Sequence, residues 1–458
     1  MSRTPLRGTH LVLAAAVIGF VAVLIAGAAF LNAGGKSDAQ VPPPRPAAAA
    51  NPGLVPLAES AAVPSTSGMT AALAKALADP DLGNLAGRIT DAQTGQQIWE
   101  QRASVPMQPA STNKVLTAAA ALLTLDRNAR VTTTVQAADQ TRMPGTVVLV
   151  GGGDPTLSAA PPGEETWYRG AGRISDLADQ VRKSGLVPTA VQVDISLFTG
   201  PDMAPGWDPE DIGGGDIAPI QAAMLDAGRI QPTTIESRRS VTPALDAGRA
   251  LAAYLGIDPA RVTFAPGPAG GRQLASVQSA PLMERLLEMM NSSDNVMAET
   301  ISREVAKATG HPLSFAGGVD AVLSKLAAEK IDVTGASLVD ASGLSVADLL
   351  TAKTLDEVIN LAAGPDHPAL RPLVDLLPVA GGSGTLSNRF FDTDVDKSPA
   401  GWLRAKTGSL TKTNSLAGIV TDAGGRVLTF AFISNNAGFS GRTAIDALAA
   451  TLRTCGCG

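Results

Sequence analysis

Several large enzyme classes depend on side chains that this chain hardly has. Among 458 residues there are two cysteines and three histidines, and aromatic residues make up only 3%. Cys455 and Cys457 sit in the closing TCGCG. Two cysteines give no framework of bridges, and their i, i+2 spacing permits at best a strained disulfide, so the tail reads as incidental. His10, His311 and His367 are scattered, and no helix carries H-E-x-x-H or a similar ligand set. That excludes a zinc hydrolase of the familiar kind. No G-x-S-x-G marks a nucleophile elbow, and both downstream histidines lie in turn-like settings, which argues against a Ser-His-Asp esterase. The net charge is −6. With no basic face and few rings to stack on bases, nucleic acid is excluded as a partner.

What the chain does have is apolar residues, 45% of the total, enough for the cores of two or three domains. Leu11 to Leu31 run without a charge, behind Arg3 and Arg7. As a helix this run would be about 32 Å long, enough to cross a hydrocarbon layer of about 30 Å. Residues 1–36 therefore read as a membrane anchor or a signal peptide, and either reading exports the remainder of the chain. Residues 37–66, rich in proline, alanine and serine, read as a linker.

An amphipathic helix then opens the folded part, and LAGRITDAQTGQQIWEQRA reads as a hairpin. At the other end NSLAGIVTDAGGRVLTFAFISN is a second hairpin, and the helix GRTAIDALAATL comes after it. Helix and hairpin first, hairpin and helix last, predict an α/β (α+β) fold whose antiparallel sheet is built from both chain ends and flanked by helices. Residues 67–130 and 241–458 are expected to form this domain. Residues 131–240 are expected to be an inserted domain, mainly β.

Three short motifs carry chemistry. In PASTNKVLTAAAALLTL, Ser111 and Lys114 share one helix face, three residues apart. A desolvated lysine loses basicity and can take the proton of a serine hydroxyl. Alone, S-x-x-K also describes any helix whose lysine snorkels to water. Ser293-Asp294-Asn295 joins two helical runs, where a hydroxyl could relay a proton and an amide could hold a carbonyl. Taken singly this is also a helix cap. Lys406-Thr407-Gly408 ends a strand-like run. There a lysine offers charge to a carboxylate, a threonine adds a hydrogen bond, and glycine lets an extended substrate lie against the strand edge. The backbone N–H of Ser409, with that of Ser111, could form an oxyanion hole.

S-x-x-K, S-D-N and K-T-G in this order, in an exported chain, resemble the signature of penicillin-binding proteins and class A β-lactamases. The resemblance is to the D-alanyl-D-alanine carboxypeptidase/endopeptidases, low-molecular-mass class C penicillin-binding proteins, over roughly residues 70 to 453. Ser293 stands 182 positions after Ser111, room for the domain this family inserts there. VLVGGGDPTLS, GWDPEDIGGGDIAPI, DASGLS and GGSGTLSNR are further family-like phrases.

The resemblance implies a serine β-lactamase/DD-peptidase-like transpeptidase fold and a cell-envelope location outside the cytoplasmic membrane. It implies peptidoglycan stem peptides as substrate, β-lactam antibiotics as covalent inhibitors, and no cofactor. Ser111 would attack the penultimate D-Ala and Lys114 would take its proton. Ser293 would pass the proton to the leaving amine, assisted by Lys406. Asn295 would hold the amide, and Lys406 and Thr407 the terminal carboxylate. A class A β-lactamase would add an E-x-x-L-N segment after S-D-N, where Glu329 is instead followed by Lys-Ile-Asp. A wall-binding protein without activity would have no use for both lysines.

Overall fold

The computed structural model describes residues 61–391 and 397–456. The expected anchor or signal peptide, 1–36, lies outside them, as does most of the expected linker. Among the described residues no helix is long and apolar enough to cross a membrane.

Helix α1 (Thr66–Leu77) starts at Ser65, whose hydroxyl accepts the Gly68 N–H at 3.1 Å. The hairpin β1 (Asn84–Asp91) and β2 (Gln97–Gln101) comes next. A 3₁₀ turn, Ala110–Asn113, leads into α2 (Lys114–Thr124). This helix is apolar on every side, and Lys114 through Leu122 are all buried, as a central helix requires. Then come β3 (Thr132–Ala137), β4 (Thr146–Val150), α3 (Ile174–Lys183), β5 (Ala190–Asp194) and α4 (Pro243–Leu255). The short β6 (Thr263–Phe264) and β7 (Gln273–Gln278) precede α5 (Leu282–Asn291) and α6 (Asn295–Thr309). Helices α7 (Phe315–Ala328) and α8 (Ala352–Ala363) lead to β8 (Leu403–Leu410), β9 (Thr413–Thr421), β10 (Val427–Asn435) and α9 (Gly441–Thr454).

The main sheet has the order β2-β1-β10-β9-β8, antiparallel throughout, so the first and last hairpins meet at its centre. The alternation along β10 divides its side chains between two cores. Leu428, Phe430 and Phe432 pack with Met69 and Leu73 of α1 and Ile445 and Leu448 of α9. Ala431 and Ile433 face the helical core of α2, α6 and α8. Both terminal helices thus cover one face, as the sequence pattern predicts. Cys455, at the end of α9, is buried in the first of these cores.

A second five-stranded sheet has the order β6-β5-β4-β3-β7, with β4–β5 and β5–β6 parallel. It differs from the expected insert in two ways. It does not end near residue 240, because β6 and β7 complete it and carry it to Gln278. It is not mainly β either, since α3 and α4 supply half its core through Leu177, Val181, Ala247 and Leu251. Parallel neighbours need crossover connections, and α3 serves as the one between β4 and β5. The helical pattern after residue 240 therefore belongs to the second sheet and not to the resumption of the first.

Candidate active site

The 3₁₀ turn before α2 holds Ser111, and Ala110 beside it takes a left-handed φ of 47°. Such a conformation persists only where its surroundings impose it. Here β9 and a loop do so. Thr112 Oγ1 and Ser415 Oγ both donate to the Pro109 carbonyl at 2.6 Å, tying the turn to β9. Three consecutive carbonyls of the DASG loop, Asp340, Ala341 and Ser342, accept from Asn113 Nδ2, Thr117 Oγ1 and Lys114 Nζ at 3.2, 2.7 and 2.9 Å. The loop is itself wound around the Asp340 carboxylate, which accepts the N–H groups of Ser342, Gly343 and Ser345 and the indole N–H of Trp207. Gly343, at φ +80°, has no room for a Cβ, which would stand 2.0 Å from the Ala110 carbonyl oxygen.

Lys114 is fully buried, and its Nζ reaches Ser111 Oγ at 3.0 Å and Asn295 Oδ1 at 2.5 Å. Burial lowers its pKa to about 8, against the pull of Asp340, Asp294, Glu299 and Asp216 in the other direction. An amine with that pKa is a competent base near neutrality. Asn295 is the first residue of α6, and its amide nitrogen donates to the Asp216 carbonyl at 3.0 Å, leaving its second N–H for a ligand. Asp294 caps α6 and also accepts the Tyr168 hydroxyl at 2.5 Å, so a side chain from between β4 and α3 pins the S-D-N segment.

Lys406 is also fully buried, and donates to Ser293 Oγ and the Thr407 carbonyl, both at 2.9 Å. Its pKa lies well below the ordinary lysine range, first through burial and then through the charges of Lys114 and Arg389. Ser293 has φ 58°, a second left-handed residue at the site. Thr407 Oγ1 pairs with Thr385 Oγ1 at 2.8 Å.

The structure therefore gathers Ser111, Lys114 and Asn295 on one side and Ser293, Lys406 and Thr407 on the other. Two details differ from the sequence reading. The K-T-G triplet lies inside β8 and does not end it, and β8 is the sheet edge. Leu403 and Ala405 turn their backbone groups outward, to Ala380 and Pro378. By the alternation of an antiparallel ladder, Thr407 and Ser409 do the same, which aims the Ser409 N–H into the cleft. Gly408, in contrast, makes room for protein. A Cβ there would stand 2.2 Å from Ser415 Oγ, 2.8 Å from the Pro109 oxygen and 3.0 Å from Ala110 Cβ. Gly408→Ala is accordingly expected to push the Ser111 turn off β8. Displacements of about 1 Å at a reacting group cost on the order of 100-fold. Acylation kinetics with a chromogenic β-lactam, alongside thermal melting, would show the rate falling much more than the stability.

Sequence reasoning missed Ser342, Asp340, Asp216, Thr385 and Tyr168. The first four fall in the phrases DASGLS, GGGD and GGSGTL, noticed but given no role, because three of them act through backbone atoms or through another side chain. Nothing in the sequence marks Tyr168.

A family model described as D-Ala-D-Ala carboxypeptidase 3 (S13) matches residues 69–238 and 233–455, and one described as Carboxypeptidase Rv3627c-like, N-terminal domain, matches 1–56. The chain is 65% identical over 454 residues to Carboxypeptidase Rv3627c of Mycobacterium tuberculosis, with 98% of each chain covered. It is 66% identical over 455 residues to Carboxypeptidase DacB of Mycolicibacterium smegmatis, covering 99% of this chain and 98% of the relative. Its fold matches the crystal structure of penicillin binding protein 4 from Haemophilus influenzae, with TM-score 0.68 and 24% identity over 84% of this chain and 98% of the other.

Proposed function

The chain belongs to the D-Ala-D-Ala carboxypeptidase 3 (S13) family and is a carboxypeptidase of that kind, and from this premise we propose that it works through an acyl-serine on Ser111. The observation that carries the reading is the buried Lys114 amine, 3.0 Å from Ser111 Oγ with a pKa of about 8.

In this reading Ser111 Oγ attacks the carbonyl of the penultimate D-Ala as Lys114 takes its proton. The N–H groups of Ser111 and Ser409 stabilise the oxyanion. Asn295 holds the substrate amide with its free N–H. Ser293, bonded to Lys406, delivers a proton to the leaving amine, and the C–N bond breaks. Water then cleaves the ester, with Lys114 in reach to accept its proton. The leaving amine belongs to free D-Ala in carboxypeptidase action, and to a neighbouring stem peptide in endopeptidase action. β-Lactams acylate the same serine. The apolar run from Leu11 to Leu31 supports export, which brings the site to the wall polymer.

Lys406 and Thr407 receive the substrate's terminal carboxylate. Because Lys406 is held well below its ordinary pKa, the empty site carries a weakened charge, and an arriving carboxylate draws a proton onto it. Binding of a D-Ala-D-Ala ligand is therefore expected to take up protons from solution. Calorimetry in buffers of different ionisation enthalpy measures this directly, and a binding enthalpy indifferent to the buffer would contradict the assignment.

The acyl-serine itself is tested by intact mass after incubation with penicillin, for the wild type and Ser111→Ala. An adduct on the wild type alone supports the reading. An adduct on both, or on neither when penicillin is also not consumed, overturns it.

A further inference from the structure

A sizeable cavity lies apart from the cleft at Ser111. It has a volume of about 800 Å³ and lies where the second sheet meets the outer part of α6. Its walls come from the ends of β3 and β4, the Gly151–Gly153 turn, Leu197 and Phe198 after β5, and Thr300 through Ala308 of α6. Ser111, Lys114, Ser293 and Lys406 take no part in it. The volume falls within the range of pockets that hold small organic ligands.

Its charges are unequal. Of the two carboxylates that line it, Glu304 is spent on Arg285, and both oxygens of Asp194 accept backbone N–H groups, from Ser196 and Ala269. The three cations are not neutralised in the same way. Lys307 is exposed at the rim and forms no ion pair among the described residues. Arg130 spends one nitrogen on the Ser279 carbonyl and meets no carboxylate among the described residues.

Arg303 is the most telling of the three. It is 1% exposed, stacked between the rings of Phe198 and Phe315, with its guanidinium carbon 5.1 and 4.3 Å from their centroids. Of five N–H donors it uses one nitrogen for a hydrogen bond, to the Glu299 carbonyl at 2.8 Å, with the Glu299 carboxylate beyond at 3.5 Å. Its Nε has no partner. Burying a guanidinium so sparsely bonded is costly unless something else satisfies it.

We propose that this cavity is a second binding site, for a small organic carboxylate or a peptide C-terminus with an apolar body. Arg303, Arg130 and Lys307 attract the carboxylate, while Leu125, Val131 and Phe198 cover the body. Free acids and peptide ends share this chemistry. The inference does not depend on the acyl-serine reading, since no residue of that site enters it.

The test uses hexanoate as probe, with hexanamide as the uncharged control, and tracks binding to the whole protein by ligand-observed NMR. A ligand of this size is expected to bind with a Kd in the millimolar range, and the amide at least tenfold more weakly. Penicillin-treated protein should bind hexanoate equally well, because the catalytic cleft is then filled. Lys307→Glu and Ala308→Trp, both at exposed positions of α6, should weaken binding at least fivefold without changing the melting temperature or the rate of β-lactam acylation. N-acetyl-Ala-Ala, with L residues, tests the peptide source, and its competition with hexanoate would place peptide ends in the same pocket. The proposal fails if hexanoate shows no saturable binding, if the amide binds as well, if penicillin abolishes binding, or if neither variant weakens it.

Discussion

Ser111→Ala is expected to lower D-Ala release from a pentapeptide by about 10⁵-fold or more, an amount equal to about 7 kcal/mol of transition-state stabilisation. The loss is this large because the residues around Ser111 act as one unit. Lys114 without the hydroxyl has no proton to take, and Ser293 has no leaving group to serve. Removing any further member from the alanine variant should then add little, as happens wherever catalytic groups work in sequence. The fold should survive, since Ser111 contributes one hydrogen bond, from Lys114, and only partial burial. Kinetics of D-Ala release, with melting curves on the same samples, separate the two effects. A variant that keeps more than about a hundredth of the activity would mean that another group carries the acyl intermediate.

Lys114 should give the second largest effect and a distinctive dependence on pH. Its amine is basic only when neutral, and burial sets its pKa at about 8. Below that value the protonated form dominates, and Ser111 has no base. The rate of acylation by a β-lactam is therefore expected to rise with pH through about 8 and level off above it. Lys114→Met should flatten this limb and slow acylation by about 10³- to 10⁴-fold. Lys114→Arg should do no better than methionine, because a guanidinium stays protonated throughout the range and its fork does not fit the place of a single amine. A wild-type profile without a limb near 8, or an arginine variant that works, would remove Lys114 from the role of base.

The parts of this molecule that the sequence made legible are those that repeat a local rule. The two hairpins and α2 were readable from alternation and from an unbroken apolar run, whereas Ser111, Lys114 and the S-D-N segment stood out only as members of three motifs in a fixed order. What was not legible depends on contacts between distant segments. Gly408 looked like a clearance for substrate, and only the position of Pro109 and Ala110 shows that it is a clearance for the turn behind Ser111. Gln273–Gln278 has a weak alternation of its own, and it becomes a strand because β3 offers an unpaired edge. Ser342 and Asp216 contribute carbonyl oxygens, which every residue possesses, so no choice of side chain announces them. Lysine pKa values are likewise a property of burial, and the letter K does not reveal it.

The pairing of β1 with β10 also sets an order of events during synthesis. Asn84 lies opposite Asn435, and Asp91 opposite Leu428. The centre of the main sheet cannot close until a partner more than three hundred residues later has been made. Contacts of such separation slow folding, because a long loop must be closed before any of them is rewarded. Lys406 arrives with the same late segment. The turn holding Ser111 rests against β8 and β9, which are equally late. A nascent or truncated chain lacking β8, β9 and β10 would thus hold the nucleophile without the strands that position it, and the hydrolase would stay silent until its final hairpin is in place.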